Sequence, residues 1–287
     1  MVRKPLISFL ICLCASLCGR ETFASSPPAP VARIELSPHP GGTLMMTIRA
    51  KVRGHEGVFI FDTGGGISYI SPAFAQAIGC KPWGQITGFT LTGQRLDMPR
   101  CDGLSFDIQG QRFAAPTSGV FDLMKYMPPD VPRIDGSIGL DVFAGRVVTL
   151  SLAEKRLTVE SPSSLVLRAR RGKEVPIRLV REAGGVALAV EVAVPTPEGL
   201  AWMELDSGNG GANVIGKHIA PLLKLDSSKK EPQPASFEIA GGIPVAGLAR
   251  VNETLIMDGN IGTRFLIDWD LTLDLSKGRA WLAPANK

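Results

Sequence analysis

The sequence predicts a mainly β protein made of two homologous β-rich lobes with a cleft between them, on three observations. An acid–hydroxyl–glycine stretch after an apolar run occurs twice, as Phe59-Ile60-Phe61-Asp62-Thr63-Gly64 and as Trp202-Met203-Glu204-Leu205-Asp206-Ser207-Gly208. A later block, Asp135-Gly136-Ser137-Ile138-Gly139, returns 123 residues on as Asp258-Gly259-Asn260-Ile261-Gly262, and that offset holds without a gap through Arg156 and Arg279. Self-similarity of this kind marks an internal duplication. Finally, 32 glycines and 22 prolines with no long amphipathic helical pattern favour short strands and many turns.

The chain of 287 residues suits two lobes of about 120 residues each. Residues 1–24 read as a secretory signal, with Arg3 and Lys4 at its start, an apolar middle from Pro5 to Cys18 and Thr22-Phe23-Ala24 before the cleavage point. That apolar run is too short for a permanent span. Leu17 stands before Cys18 where a lipid-anchor signal needs a small residue, so no stable membrane anchor is expected. The expected location is periplasmic or secreted. Residues 25–32 read as a tail, 33–160 as the first lobe, 161–175 as a solvated basic linker and 176–287 as the second lobe. The net charge of +4 falls to about +2 without the leader, which gives no reason to expect a nucleic-acid partner.

Taken in order, Ile34-Glu35-Leu36 is a short strand, Gly41-Gly42 a turn and Thr43–Val52 a second strand. Arg53–Gly57 turns it back into the approach to Asp62. In the second copy Ile177-Arg178-Leu179 matches Ile34-Glu35-Leu36, Gly184-Gly185 makes the turn and Val186–Val194 the strand. Pro195–Gly199 then turns into the approach to Asp206. Pro72–Gly79 and Lys217–Leu225 read as short helical turns. Thr87–Leu96, Leu104–Phe113 and Phe237–Leu248 read as hairpins tipped by Gly93, Gly110 and Gly241-Gly242.

A carboxylate that directly follows a buried strand is costly to desolvate unless donors satisfy it. The hydroxyl and the glycine N–H groups next to Asp62 and Asp206 can do so. The doubled Asp-Thr-Gly and Asp-Ser-Gly motifs, each with its apolar-Gly block downstream, resemble the aspartic protease superfamily. The likeness is to pepsin-like double-barrel architecture with bacterial retropepsin-like texture, over nearly all of residues 33–283. The resemblance implies an aspartic endopeptidase that needs no cofactor or metal, acts on peptides or proteins and works as a monomer. Asp62 and Asp206 would be its catalytic pair, within about 3–4 Å of one another and sharing one proton. Thr63 and Ser207 would lock the two loops together, and Gly64 and Gly208 would present N–H groups to the carboxylates. Ile138-Gly139 and Ile261-Gly262 would pass beneath, and a hairpin within Thr87–Leu96 would close over substrate. Gly65 and Asn209 stand where the family often has a small hydroxyl residue or Ala. A catalytically silent peptide-binding protein on the same fold is the alternative, holding an extended strand without cutting it.

Other signals weigh less. Gly211–His218 nearly spells a phosphate-binding loop but ends in His218 where a hydroxyl belongs, so no nucleotide is expected. His39, His55 and His218 lack metal-ligand spacing, and His39 and His55 fall in expected surface turns. Asp135 and Asp258 read as turn-capping acids. Cys80 and Cys101 are the cysteines left after the leader. In an exported chain they favour a disulfide over two separate thiols.

Overall fold

The computed structural model describes residues 29–41 and 44–286. The expected signal at 1–24 lies outside the described residues, as do residues 25–28 of the expected tail, Gly42 of the expected turn and Thr43 at the start of the expected strand.

In the first lobe, Met46–Val52 pairs antiparallel with His55–Phe61. The connecting turn is only Arg53 and Gly54, both at positive φ (49° and 85°), the geometry that matches strand twist in a two-residue hairpin. The expected turn at Arg53–Gly57 was therefore too long. The second copy differs from expectation in the same way. Thr196 pairs with Gly199, so Pro197 and Glu198 alone make the turn between Ala189–Thr196 and Gly199–Leu205. Each approach strand then takes the later block as a parallel neighbour, Gly136–Ile138 in one lobe and Gly259–Ile261 in the other. That neighbour sets the backbone on which the acids sit. Phe59 anchors the first approach strand, meeting Phe74 and Phe106 edge to face at 5.4 and 5.5 Å.

The first lobe holds an eight-stranded sheet and the second a seven-stranded one. Lys51 pairs with Asp107 and closes the first sheet on itself. The additional strand is Trp83–Phe89. It pairs with the start of Arg95–Ile108 and forms the expected hairpin over Thr87–Leu96. The other two expected hairpins and the helical turns at Pro72–Ala77 and Ala220–Leu223 are also present.

A six-stranded sheet joins the lobes, with Ala32–Glu35, Arg156–Val159 and Val147–Ser151 followed by Trp269–Asp274, Arg279–Pro284 and Lys173–Val175. At its centre Thr149 lies opposite Thr272, its own copy 123 residues on, with the hydroxyls 2.9 Å apart. A residue paired with its own copy marks a pseudo-two-fold axis. The same sheet corrects the alignment of the copies. Ile34 lies opposite Leu157 and Val175 opposite Ala280, the residue 123 after Leu157, so Val175 is the counterpart of Ile34 and Ile177 is not. An insertion around Ala183–Gly185 in the second copy hid this shift.

Residues 161–175 are not a solvated linker. Ser161 caps the helix Pro162–Arg171 in a reciprocal arrangement with Ser164, and Lys173–Val175 is a strand of the joining sheet. Arg168 Nε lies 2.8 Å from Glu160, and Nη1 lies 3.5 Å from Asp270; both carboxylates are buried. Such pairs are expensive to break singly, because the partner is left as an uncompensated buried charge.

Cys80 and Cys101 form a disulfide that ties the end of the Pro72–Ala77 helix to the strand below the hairpin. Closing this loop, with its sequence separation of 21, should stabilise the protein by about 3 kcal/mol. Denaturant midpoints of the parent and the Cys80→Ser/Cys101→Ser protein measure the difference. Two reactive thiols in the unfolded, unreduced chain without its leader would refute the bond.

Candidate active site

Asp62 and Asp206 end equivalent strands and meet at the pseudo-two-fold axis. Their backbone N–H groups donate to Ile138 O (3.0 Å) and Ile261 O (2.9 Å), so the apolar-Gly blocks hold the two loops from beneath. The loops are cross-locked as expected. Thr63 N donates to Ser207 Oγ (3.0 Å) and Ser207 N to Thr63 Oγ1 (2.9 Å). Each hydroxyl then donates to the opposite approach strand, Thr63 to Leu205 O (2.6 Å) and Ser207 to Phe61 O (3.1 Å). Four buried hydrogen bonds across the lobes leave little freedom in how far apart the acids stand.

Gly64 N donates to Asp62 Oδ1 (2.9 Å) and Gly208 N to Asp206 Oδ1 (2.7 Å). Both glycines also allow the opposing acid to approach. A Cβ on Gly64 would lie 2.6 Å from Asp206 Cγ, and one on Gly208 would lie 2.6 Å from Asp62 Cγ. The two carboxyl groups are hydrogen-bonded to one another. Burial, followed by the Asp206 charge and that hydrogen bond, holds the Asp62 carboxyl well above the usual carboxylate range. Donation from the Gly64 and Gly65 backbones opposes the shift without cancelling it. The neutral form of Asp62 is thereby favoured relative to that of an isolated aspartate.

The copies match closely up to this point and then diverge. Asn209 does not serve Asp206 with its side chain: its Nδ2 donates to Ala212 O (3.2 Å) and Asn260 Oδ1 (2.8 Å). Asn260 Nδ2 instead donates to Asp206 Oδ2 (2.8 Å) and to Glu204 Oε2 (2.9 Å). Glu204 is buried, and burial together with the charges of Asp206 and Asp62 pushes its carboxyl well above the usual range. The corresponding residues of the first copy are Ser137 and Ile60, which contact one another through Ser137 Oγ and Ile60 O (3.3 Å). Sequence reasoning missed both Asn260 and Glu204. The signal was a glutamate inside an apolar approach strand and an amide inside an apolar-Gly block.

The hairpin over Thr87–Leu96 roofs the cleft, with a cavity on either side. One, of about 280 Å³, reaches from Asp62 along Ile67, Tyr69, Leu96, Met98 and Phe121. The other, of about 170 Å³, runs under Phe89 and Leu91 to Glu191 and Glu204. The hairpin tip also reaches the second lobe, where Ile256 N donates to Leu91 O (3.0 Å). Tyr69, beside Asp62, was not singled out from the sequence. Burial and the Asp62 charge push its phenol up, so it stays protonated.

Asp135 and Asp258 do not cap turns as expected: they accept from Val58 N (3.0 Å) and Trp202 N (2.8 Å), in the two approach strands at equivalent places. Of the histidines, His55 is exposed and His218 pairs with Asp258 at 2.9 Å. His39 overturns the expectation of a surface turn. It is buried, takes the Gly41 N–H on Nδ1 (3.2 Å), and burial lowers its pKa. Asn213–Gly216 is a strand, so the phosphate-loop-like segment does not form a loop around an anion. Among the described residues no group of three or more His, Cys, Asp or Glu is placed to hold a metal ion.

Two lobes, each giving one acid to a cross-locked pair beneath a hairpin, define the two-lobed aspartic protease fold. Comparison with known proteins agrees: residues 48–142 match the family model described as aspartyl protease. Among solved structures, basic 7S globulin from soybean aligns with a TM-score of 0.57 and 10% identity, over 89% of this chain and 95% of that one. Conglutin gamma, a basic 7S globulin from lupine seeds, aligns with a TM-score of 0.56 and 9% identity, over 90% and 96%. At such identities the likeness extends to the fold alone. No curated protein matches the chain.

Proposed function

We propose that the protein is an exported aspartic endopeptidase that acts as a monomer on peptide or protein substrates. The observation that carries this reading is the pairing of Asp62 and Asp206 across the pseudo-two-fold axis, so close that a Cβ on Gly64 or Gly208 would stand 2.6 Å from the opposing carboxyl carbon. An ionised Asp206 takes a proton from a water as that water attacks the scissile carbonyl, and protonated Asp62 donates to the carbonyl oxygen. The disulfide supports export, since such bonds persist in oxidising compartments. The apolar cavity from Ile67 to Phe121 suits an apolar side chain beside the bond to be cut.

Peptides with a Phe or Leu at the scissile position should be cleaved, and a substrate mimic with a tetrahedral hydroxyl should inhibit. The reaction needs one proton on the pair. Because Asp62 holds its proton above the usual range, activity should peak at mildly acidic pH and fall as pH rises through the Asp62 titration. Gly65 adds no side-chain donor that would favour ionisation of Asp62. A profile peaking near about pH 2, within the strongly acidic range of pepsin, would contradict this account.

One observation favours the silent peptide-binding alternative. The Leu91–Ile256 hydrogen bond closes the hairpin over the acids, and a strand held beneath it need not be cut. Tight binding of the same peptides with no cleavage at any pH from 3 to 8 would select that reading.

A further inference from the structure

The duplicated halves make their own comparison. They share the acid, the cross-locking hydroxyl, the glycine and the apolar-Gly block, yet one presents Asn260 and Glu204 where the other presents Ser137 and Ile60. We propose that Asn260 is a positioning residue of the dyad, its side-chain amide holding the negative charge on Asp206 and so leaving the shared proton on Asp62. This inference deepens the proteolytic reading and rests on it for its consequence in catalysis.

The geometry is directional. Asn260 Oδ1 is occupied by the Asn209 amide at 2.8 Å, which fixes the Asn260 NH₂ toward the acids. Its two hydrogens then serve Asp206 Oδ2 (2.8 Å) and Glu204 Oε2 (2.9 Å). With Gly208 N (2.7 Å) and Asn209 N (3.2 Å) on Oδ1, Asp206 accepts three hydrogen bonds from its own lobe. Asp62 accepts two, from the backbones of Gly64 and Gly65. Donors favour the ionised form of a carboxyl group, so the charge settles where there are more of them.

Glu204 is what keeps the bridge in place. The charged groups acting on it are Asp206, Asp62 and, from the neighbouring strand, its pairing partner Glu191. Further out, Arg178, Asp258 and Glu182 act on Glu191. Burial comes first and the repulsion from these carboxyl groups adds to it, so the neutral form of Glu204 is favoured. As a neutral acid it anchors the second Asn260 hydrogen without placing another charge beside Asp206.

The test uses Asn260→Leu and Asn260→Ser, with cleavage followed across pH and the carboxyl groups of ¹³C-labelled aspartates observed directly. In the parent, the ¹³C shifts should show Asp206 ionised and Asp62 protonated. The Asn260→Leu protein should lose about tenfold in kcat with KM unchanged. Its acidic limb should move up by roughly one pH unit, since the charged form of the dyad has lost a hydrogen-bond donor. The Ser variant should shift less, because its hydroxyl restores one donor without bridging both acids. If the Leu protein does not fold, the Ser protein must still show the limb and the ¹³C shifts moving in this direction. An unmoved limb with unchanged ¹³C shifts overturns the proposal. A parent that cuts nothing, but whose Asp206 charge moves onto Asp62 in the Leu variant, defeats the proteolytic reading and leaves the role of Asn260 standing.

Discussion

Asp62→Asn and Asp206→Asn should each abolish peptide cleavage, by about 10⁴-fold or more, while the protein keeps its fold. A dyad is a unit. Losing either member removes the shared proton or the base that activates water, and effects of this size follow when one part of a catalytic constellation is removed. The fold should survive because Asn has the shape of Asp and can still accept the Gly64 or Gly208 N–H. Stability offers a second readout for Asp62. Its folded-state titration is raised, so the folded protein binds this proton more tightly than the unfolded chain does. The resulting stabilisation is fully present below the ordinary aspartate range and is lost as pH rises through the Asp62 titration. The Asp62→Asn protein should lack that pH dependence and be at least as stable as the parent at neutral pH. An Asp206→Asn protein that cuts at the parent rate would show that the second copy takes no part in catalysis.

The features that were legible in the sequence are those the duplication states twice. Asp62 and Asp206, their hydroxyls and glycines, and the blocks ending in Ile138-Gly139 and Ile261-Gly262 all sit where the repeat places them, because both copies solve one problem: satisfying an acid at the end of a buried strand. Reading by repetition was weakest where the copies differ. The insertion around Ala183–Gly185 shifted the counterpart of Ile34 from Ile177 to Val175. Arg168, Arg170, Arg171 and Lys173 suggested a solvated linker by charge alone, although Ser161, Pro162 and Ser164 carry the marks of a helix start. Asp270, which pairs with Arg168, lies far away in sequence within a strand, and Glu160, eight residues before Arg168, gave no sign in the sequence that it is buried. Glu204 and Asn260 were passed over because each looks like an exception in an apolar run. Glu204 shares a strand face with Asp206 two residues on, while only the sheet register brings Asn260 beside them.

Gly208→Ala should cost about 10²-fold in cleavage without removing a group that takes part in the chemistry. Neither Gly208 nor Gly64 has a positive φ, so an alanine is not excluded by backbone conformation. What excludes it is the opposing acid. The new Cβ would stand 2.6 Å from Asp62 Cγ and Oδ1, well inside contact distance. Asp62 cannot swing aside freely, because its loop is pinned by Ile138 and by the Thr63–Ser207 cross-lock. The strain must therefore push the two loops apart, and a displacement near 1 Å at reacting groups costs about 10²-fold. Overpacking of this kind also destabilises by roughly 1–3 kcal/mol. The pH profile separates this cause from general damage. Moving Asp206 away from Asp62 weakens the repulsion that helps hold the Asp62 proton, so the alkaline limb should move to lower pH. Gly64→Ala, which would place its Cβ 2.6 Å from Asp206 Cγ, should give the same loss from the other side of the axis. If Gly208→Ala retained activity within about twofold and an unmoved alkaline limb, the close approach of the loops would not be what sets the proton on Asp62.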